Sequence, residues 1–161
     1  MIIVDVNLLL YASISTFPQH AAARRWFEQV LNGSDQLLLP AVSIFGFVRI
    51  ASNPRIFDAP QSVTDALDSV EGWLSQPHVH FLAPGPHYTE IAFRLLRELG
   101  AAQNLTTDVQ LAAHAIENQA TLCSNDSDFA RFEGLRWDDP IAKKTPEGMP
   151  GASRRDRKHA R

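Results

Sequence analysis

The chain has a single cysteine and, up to residue 142, no lysine. One cysteine, Cys123, excludes an internal disulfide framework and fits a reducing compartment, so we expect a cytoplasmic protein. No apolar run approaches the roughly 20 residues that a membrane helix needs. The opening residues MIIVDVNLLLYAS have no basic residue before their apolar run, so they do not predict a signal peptide.

The missing lysines also exclude particular reactions. Phosphatase and phosphoacceptor domains can place an aspartate after a first strand, but both need a lysine near the phosphoryl group. The phosphatase motif would also need an acid where Asn7 stands. The sequence has no glycine-rich phosphate loop, so nucleotide binding by that route has no support.

The charge that is present is unevenly distributed. Residues 141–161 carry seven basic and two acidic residues, a net charge of +5, and residues 1–140 carry eight basic and 16 acidic residues, a net charge of −8. We expect residues 1–140 to form one folded domain. The tail from residue 141 is rich in glycine, proline and charge, so we expect a disordered basic extension. An acidic body binds nucleic acid poorly unless arginine or another cation contacts the phosphates.

Short apolar runs alternate with longer segments of helical periodicity. The runs IIVD, QLLLP, HVHFL and ATLCS predict strands, and the segments between them predict helices. This alternation predicts an α/β fold with a mainly parallel sheet. Ligands of such folds bind at the carboxyl ends of the strands, so the residues that follow each strand are the candidates for function.

Three acidic residues from distant segments converge at this edge. Asp5 follows the first predicted strand, and Asp126 follows the strand ATLCS. Asp108 lies in the first turn of the predicted helix TTDVQLAAHAI, whose start points to the same edge. Two carboxylates about 5 Å apart repel by roughly 3 kcal/mol at an effective dielectric constant near 20. One of them is therefore protonated, or a cation lies between them.

Oxygen ligands favour Mg²⁺ or Mn²⁺. Such a metal binds phosphate oxygens and lowers the pKa of a bound water, which suits phosphodiester hydrolysis. Asn7 and Asn125 are candidates to hold water or orient the carboxylates. Structural explanations stand beside this one, since Asp108 also suits a helix N-terminus and Asp128 suits a cap for the helix that holds Phe129.

The sequence resembles the PIN domains of VapC-type toxins over about residues 1–140. The matching stretches are IIVDVNLLLYA, FVRIASNPRIF and the long segment from Asn104 to Pro140. The resemblance implies a three-layer α/β/α sandwich with four to five strands. It also implies a Mg²⁺-dependent ribonuclease (Mn²⁺ being possible), with Asp5, Asp108 and Asp126 as catalytic metal ligands. The implied partners are an RNA substrate, a VapB-type antitoxin and a second copy of the chain.

One position departs from the family pattern. The family often has a glutamate three residues before the arginine of the FVRI helix, and this chain has Gly46 there. The site therefore has one carboxylate fewer, or Asp128 replaces it. This departure supports an alternative function, a PIN-like binding module that has lost catalysis and only pairs with an antitoxin-like partner.

Overall fold

The centre of the molecule is a sheet in which all neighbouring strands are parallel. The computed structural model describes residues 1–100 and 105–142. Within them the spatial order of the strands is β3-β2-β1-β4-β5. The five strands are β1 Ile2–Val4, β2 Leu37–Pro40, β3 Val79–Leu82, β4 Thr121–Cys123 and β5 Arg136–Asp138. The predicted α/β fold with a mainly parallel sheet is confirmed.

Helices cover both faces of this sheet. They are α1 Val6–Ser13, α2 His20–Leu31, α3 Ala41–Ala51, α4 Val63–Leu74, α5 Tyr88–Leu99 and α6 Thr106–Glu117, followed by a 3-10 helix at Ser127–Arg131. Buried residues of α1 to α4 form one core cluster, and those of α5, α6 and the 3-10 helix form a second. The result is the expected three-layer sandwich.

The central strands supply both clusters because successive side chains of a strand point to opposite faces. In β1, Val4 joins the first cluster and Ile3 the second; in β2, Leu37 and Leu39 join the first and Leu38 the second. Both faces of β1 and β2 are thus apolar, as expected for the interior of a parallel sheet. The carboxyl end of β1 is consequently fixed at the centre of the fold.

The edge strand β5 was not predicted. Its residues alternate between exposed Arg136 and Asp138 and the partly buried Trp137, so it contains no apolar run. Pairing with β4 through Cys123 and Asp138 holds it in place. Tertiary pairing, and not local composition, makes this segment a strand.

The helix ends follow the usual sequence signals in some places and not in others. Helix α5 ends at Gly100, which has a φ of 70°, as its terminal glycine predicts. Two threonines stand at the start of α6, Thr106 and Thr107, but neither is its cap, because the N-cap residue is Leu105 and it makes no side-chain capping bond. Helix α4 begins with a complete capping box between Ser62 and Asp65.

The predicted basic tail, residues 141–161, lies almost entirely outside the described residues, which end at 142. The boundary of the folded domain near residue 140 therefore stays a prediction. Within residues 1–100 and 105–142, none of the helices has the length and apolar character needed to cross a membrane.

Candidate active site

Asp5 occupies the junction between β1 and α1. Its backbone N–H donates to the Cys123 carbonyl at 3.0 Å, which continues the pairing of β1 with β4 by one residue. The Ser43 hydroxyl donates to the Val4 carbonyl at 2.7 Å from the other side. Only 6% of Asp5 is exposed. The fold thus holds this carboxylate rigidly, next to a neighbouring strand that is more than a hundred residues away in sequence.

The hydroxyl of Ser124 organises the polar groups around Asp5. It donates to Asp5 Oδ2 at 2.7 Å and accepts from Asn7 Nδ2 at 2.9 Å and from the Asp126 backbone N–H at 3.0 Å. Ser124 is completely buried. One hydroxyl therefore connects the end of β1, the first turn of α1 and the segment after β4.

Burial, together with the charges of Asp108 and Asp126, raises the pKa of Asp5 to about 6. The hydrogen bonds from Ser124 and from the Val6 backbone oppose this rise. A carboxyl group desolvated to this degree favours its neutral form, or its charged form beside a cation. At pH values around 6 and below, a cation that binds there therefore displaces the proton of Asp5.

The other two predicted acids lie near Asp5. Asp108 is partly buried in the first turn of α6, and its pKa is raised by burial and by the charges of Asp126 and Asp128. Asp126 is exposed, and its charge contributes to the raised pKa of both other acids. The predicted convergence of three acids from three segments is present as electrostatic coupling.

The assignment of Asp128 as a helix cap is wrong. The cap of the 3-10 helix is Asp126, whose Oδ1 accepts from the Asp128 backbone N–H at 2.8 Å. The helix begins at Ser127, two residues earlier than that assignment requires. The Asp128 carboxylate instead pairs with Arg131 at 2.6 Å. Asp126 consequently commits one oxygen to its own helix and keeps Oδ2 for other partners.

The two asparagines hold the loop after β4. Asn7 Oδ1 accepts weakly from the Asn125 backbone N–H at 3.5 Å, and its amide donates to Ser124. Asn125 Nδ2 donates to Asp139 Oδ2 at 2.7 Å, away from Asp5. Asp139 Oδ1 in turn accepts from the backbone N–H groups of Ile141 and Ala142. Asn7 thus supports the site through Ser124, and Asn125 ties the loop to the segment after β5.

Gly46 packs against the start of α1. A Cβ atom added to this glycine would lie 3.2 Å from Cγ2 of Val6, which is tighter than most real Cβ contacts. Close approach of α3 to α1 therefore accounts for the glycine. Because Val6 directly follows Asp5, residue 46 lies beside the acidic site.

The donor set suits a hard divalent cation, because Asp5, Asp108 and Asp126 offer only oxygen ligands. Their mutual repulsion is the condition that a cation relieves. Across residues 1–100 and 105–142, however, no three histidine, cysteine, aspartate or glutamate side chains are grouped closely enough to hold a metal ion. The charges of the three acids act on one another, but their side chains do not form a ready ligand group in the described residues.

Several residues of the site escaped prediction. Ser124, Arg131 and Asp139 contact predicted residues, and the pKa of Tyr11 is raised by burial and by the charges of Asp5, Asp126 and Asp139. The position of Ser124, directly after the buried residue Cys123 and two residues before Asp126, was an available signal. Cys123 itself is buried, and burial raises the pKa of its thiol to about 12, as expected for a core residue without a nucleophilic role.

Residues 2–135 match the family model of the PIN domain. The chain belongs to the PIN-domain family. Among curated proteins, this PIN domain is 50% identical over 141 residues to Ribonuclease VapC33 of Mycobacterium tuberculosis, covering 88% of this chain and 99% of the relative. It is 39% identical over 142 residues to Ribonuclease VapC37 of the same organism, with the same two coverages.

Solved structures confirm the PIN fold. VapBC2 from Rickettsia felis, bound to a DNA fragment from its promoter, matches with a TM-score of 0.63 at 20% identity, covering 86% of this chain and 98% of the other. Mycobacterium tuberculosis VapC20, described as a sarcin–ricin-loop-cleaving toxin, matches with a TM-score of 0.63 at 16% identity, covering 84% and 99%. At these identities the likeness concerns the fold alone.

Proposed function

We propose that the chain is a metal-dependent endoribonuclease and the toxin of a VapBC-type toxin–antitoxin pair. The observation that supports the proposal is the mutual influence of the charges of Asp5, Asp108 and Asp126, which come from three distant segments of the chain. The relatives named as VapC ribonucleases, matched over nearly their whole length, support the same activity.

Each acid has a distinct part in this proposal. Asp5 is the buried and most rigid ligand, oriented by Ser124. Asp108 and Asp126 complete the ligand set from α6 and from the segment after β4. Asn7 keeps Ser124 in position, and Asn125 keeps the loop in place through Asp139. Asp128 remains a possible supporting acid, but its pairing with Arg131 places its charge outside the ligand set.

The proposed cation is Mg²⁺, with Mn²⁺ as a substitute. When bound, such a cation polarises the phosphate and activates a water for attack on phosphorus. The chain's own contribution is to keep Asp5 dehydrated and oriented and to let Asp108 and Asp126 rotate toward it. The Asp5 proton leaves as the carboxylate becomes a ligand, so metal affinity should rise with pH through about 6.

A nuclease assay tests the activity directly. Protein purified free of antitoxin is incubated with RNA in Mg²⁺, Mn²⁺, Ca²⁺ or chelator, and cleavage is expected in the first two only. Asp108→Asn should remove cleavage, whereas Asp68→Asn, which changes an exposed acid on α4, should not. Cleavage that persists in chelator, or an active Asp108→Asn protein, would overturn the metal-site proposal.

We also propose a VapB-type antitoxin and a homodimer as partners. Solved structures with the same fold include toxins in complex with their antitoxins. Helices α3 and α5 expose Phe45 and Phe93 by 64% and 53%, and such apolar side chains suit an interface. Light scattering of Phe45→Ser and Phe93→Ser proteins tests the dimer, because both should shift it toward the monomer. Cytoplasmic location stays a prediction.

A second candidate is a PIN-like binding module without catalysis. Two observations favour it: Gly46 stands in the usual glutamate place, and the described residues contain no preformed three-ligand group. The same nuclease assay separates the two candidates. A module without catalysis would bind its antitoxin and leave RNA intact in Mg²⁺ and in Mn²⁺.

A further inference from the structure

Positive charge is scarce where RNA has to approach the site. Residues 1–142 contain eight arginines and no lysine. Arg24 and Arg94 form ion pairs with glutamates one turn further along their own helices, α2 and α5. An RNA phosphate that approaches the acidic site meets several carboxylates. It therefore needs a nearby cation in addition to the metal.

Arg131 is the arginine that lies at the site. Its charge opposes the rise in the pKa of Asp108, so the guanidinium lies within electrostatic reach of that acid. Nη2 donates to Asp128 Oδ1 at 2.6 Å and Nε donates to the Asp128 carbonyl at 3.1 Å. The Asp128 backbone N–H binds Asp126 Oδ1 at 2.8 Å. These bonds connect the guanidinium to the Asp126 carboxylate through a single residue.

The guanidinium also retains capacity for a ligand. Within residues 1–100 and 105–142, no hydrogen bond uses Nη1 of Arg131. The side chain is 44% exposed, and that of its partner Asp128 is 48% exposed. An arginine held at one side and open at the other suits bidentate binding of a phosphate.

Resting on the proposed ribonuclease function, we propose that Arg131 binds a phosphate of the RNA beside the scissile bond. Before RNA binds, the Asp128 carboxylate occupies part of the Arg131 guanidinium. The phosphate takes the donors that are free and competes with Asp128 for the others. Asp128 is thereby a competitor of the phosphate for Arg131, and not a contact of the RNA.

The main alternative is that Arg131 only stabilises the 3-10 helix. Three variants distinguish the two roles: Arg131→Ala, Arg131→Lys and Asp128→Asn. Arg24→Ala is the matched control, because it breaks an exposed arginine–carboxylate pair on α2. Each protein is assayed for KM and kcat in Mn²⁺. Binding of a single-stranded RNA is measured in Ca²⁺ at several salt concentrations.

Loss of a phosphate contact predicts a KM about tenfold higher in Arg131→Ala, with a smaller change in kcat. The slope of log Kd against log salt should fall by about 0.7 for a single strand. Arg131→Lys should retain the slope because it retains the charge. Asp128→Asn should bind RNA at least as tightly as the wild type, because it frees the guanidinium.

Two results would overturn this proposal. One is an Arg131→Ala protein indistinguishable from Arg24→Ala in KM and salt slope. The other is an Asp128→Asn protein that loses RNA affinity as Arg131→Ala does, which would make the ion pair a structural clamp. If Arg131→Ala fails to fold, Arg131→Lys and Asp128→Asn still decide. A wild type that binds RNA in Ca²⁺ but never cleaves it would refute the proposed function and leave the binding test intact.

Discussion

Two serine–aspartate hydrogen bonds of the same length, 2.7 Å, occur in different settings in this protein. At the start of α4, Ser62 and Asp65 form an exposed capping box in which both side chains also bind backbone N–H groups. Asp5, which precedes α1, accepts from Ser124 and is buried beside two other acids.

The difference shows how setting decides what an aspartate does at a helix N-terminus. In the capping box, water and backbone donors solvate the charge, and the pair stabilises the helix by about 1 kcal/mol. At the acidic site, burial raises the pKa of Asp5 to about 6, so the ionised form lowers the stability of the fold near neutral pH. The first pair serves folding, and the second holds a group ready for a cation.

The sharpest way to test this comparison is Asp5→Asn. We expect RNA cleavage to fall by at least about 100-fold, since the buried ligand is lost. Asp5 binds its proton more tightly in the folded state, so wild-type stability falls as pH rises from about 4 to about 6. The variant should therefore be more stable at pH 7, by up to about 3 kcal/mol, and equal to the wild type near pH 4.

Melting curves at both pH values, with and without Mg²⁺, measure these effects. Mg²⁺ should raise the wild-type melting temperature at pH 7 and leave that of Asp5→Asn unchanged. Asp65→Asn, at the capping box, should show neither the gain in stability nor the change in metal response. Full cleavage activity in Asp5→Asn would remove the distinction between the two pairs.

The next largest effect, a loss of unfolding free energy, is expected when the serine of each pair is replaced by alanine. Ser124→Ala deletes the buried partner of Asp5, Asn7 and the Asp126 backbone, so we expect a loss of about 2 to 4 kcal/mol in unfolding free energy. Ser62→Ala should cost about 1 kcal/mol. Urea titration measures both. Cleavage should be reduced only by Ser124→Ala, and equal costs for the two serines would contradict the comparison.

A fourth carboxylate, introduced on α3, tests whether residue 46 lies close enough to the site to bind the metal. Gly46→Glu should tighten Mg²⁺ or Mn²⁺ binding, because a Cβ at this position starts beside Val6, next to Asp5. Without metal it should lower stability by about 1 to 3 kcal/mol, from the tight contact and the added charge. Gly46→Ala is the control, with the same Cβ and no carboxylate.

Calorimetric titration of the metal and melting in chelator give both quantities. Unchanged metal affinity in Gly46→Glu, with a stability loss equal to that of Gly46→Ala, would show that residue 46 serves packing alone.

The smallest effect on stability and cleavage is expected when the tail is removed. Truncation after Ala142 retains the two backbone groups that Asp139 binds, at Ile141 and Ala142. Unfolding free energy and kcat should stay within error of the full chain, as urea titration and the nuclease assay would show. A truncated chain that fails to fold would disprove the boundary near residue 140.

The acidic site was predictable to the extent that topology determines it. Asp5 and Asp126 each follow an apolar strand, and parallel strands bring their carboxyl ends to one edge. The position of Ser124 between Cys123 and Asp126 was a signal, but its hydrogen bonds to Asp5 and Asn7 depend on β4 lying beside β1 and were not predicted. The cap was misassigned because Asp126 and Asp128 both flank a plausible helix start, and only the backbone geometry distinguishes them.

The central position of β1 also determines when the site can exist during synthesis. Asp5 is synthesised before its partner Ser124, which follows 119 residues later. Domains complete such long-range pairings late, because the intervening chain has to be ordered first. A nascent chain that ends before β4 contains Asp5 but lacks Ser124 and Asp126. A site built in this way is incomplete until β4 has been synthesised and has paired with β1.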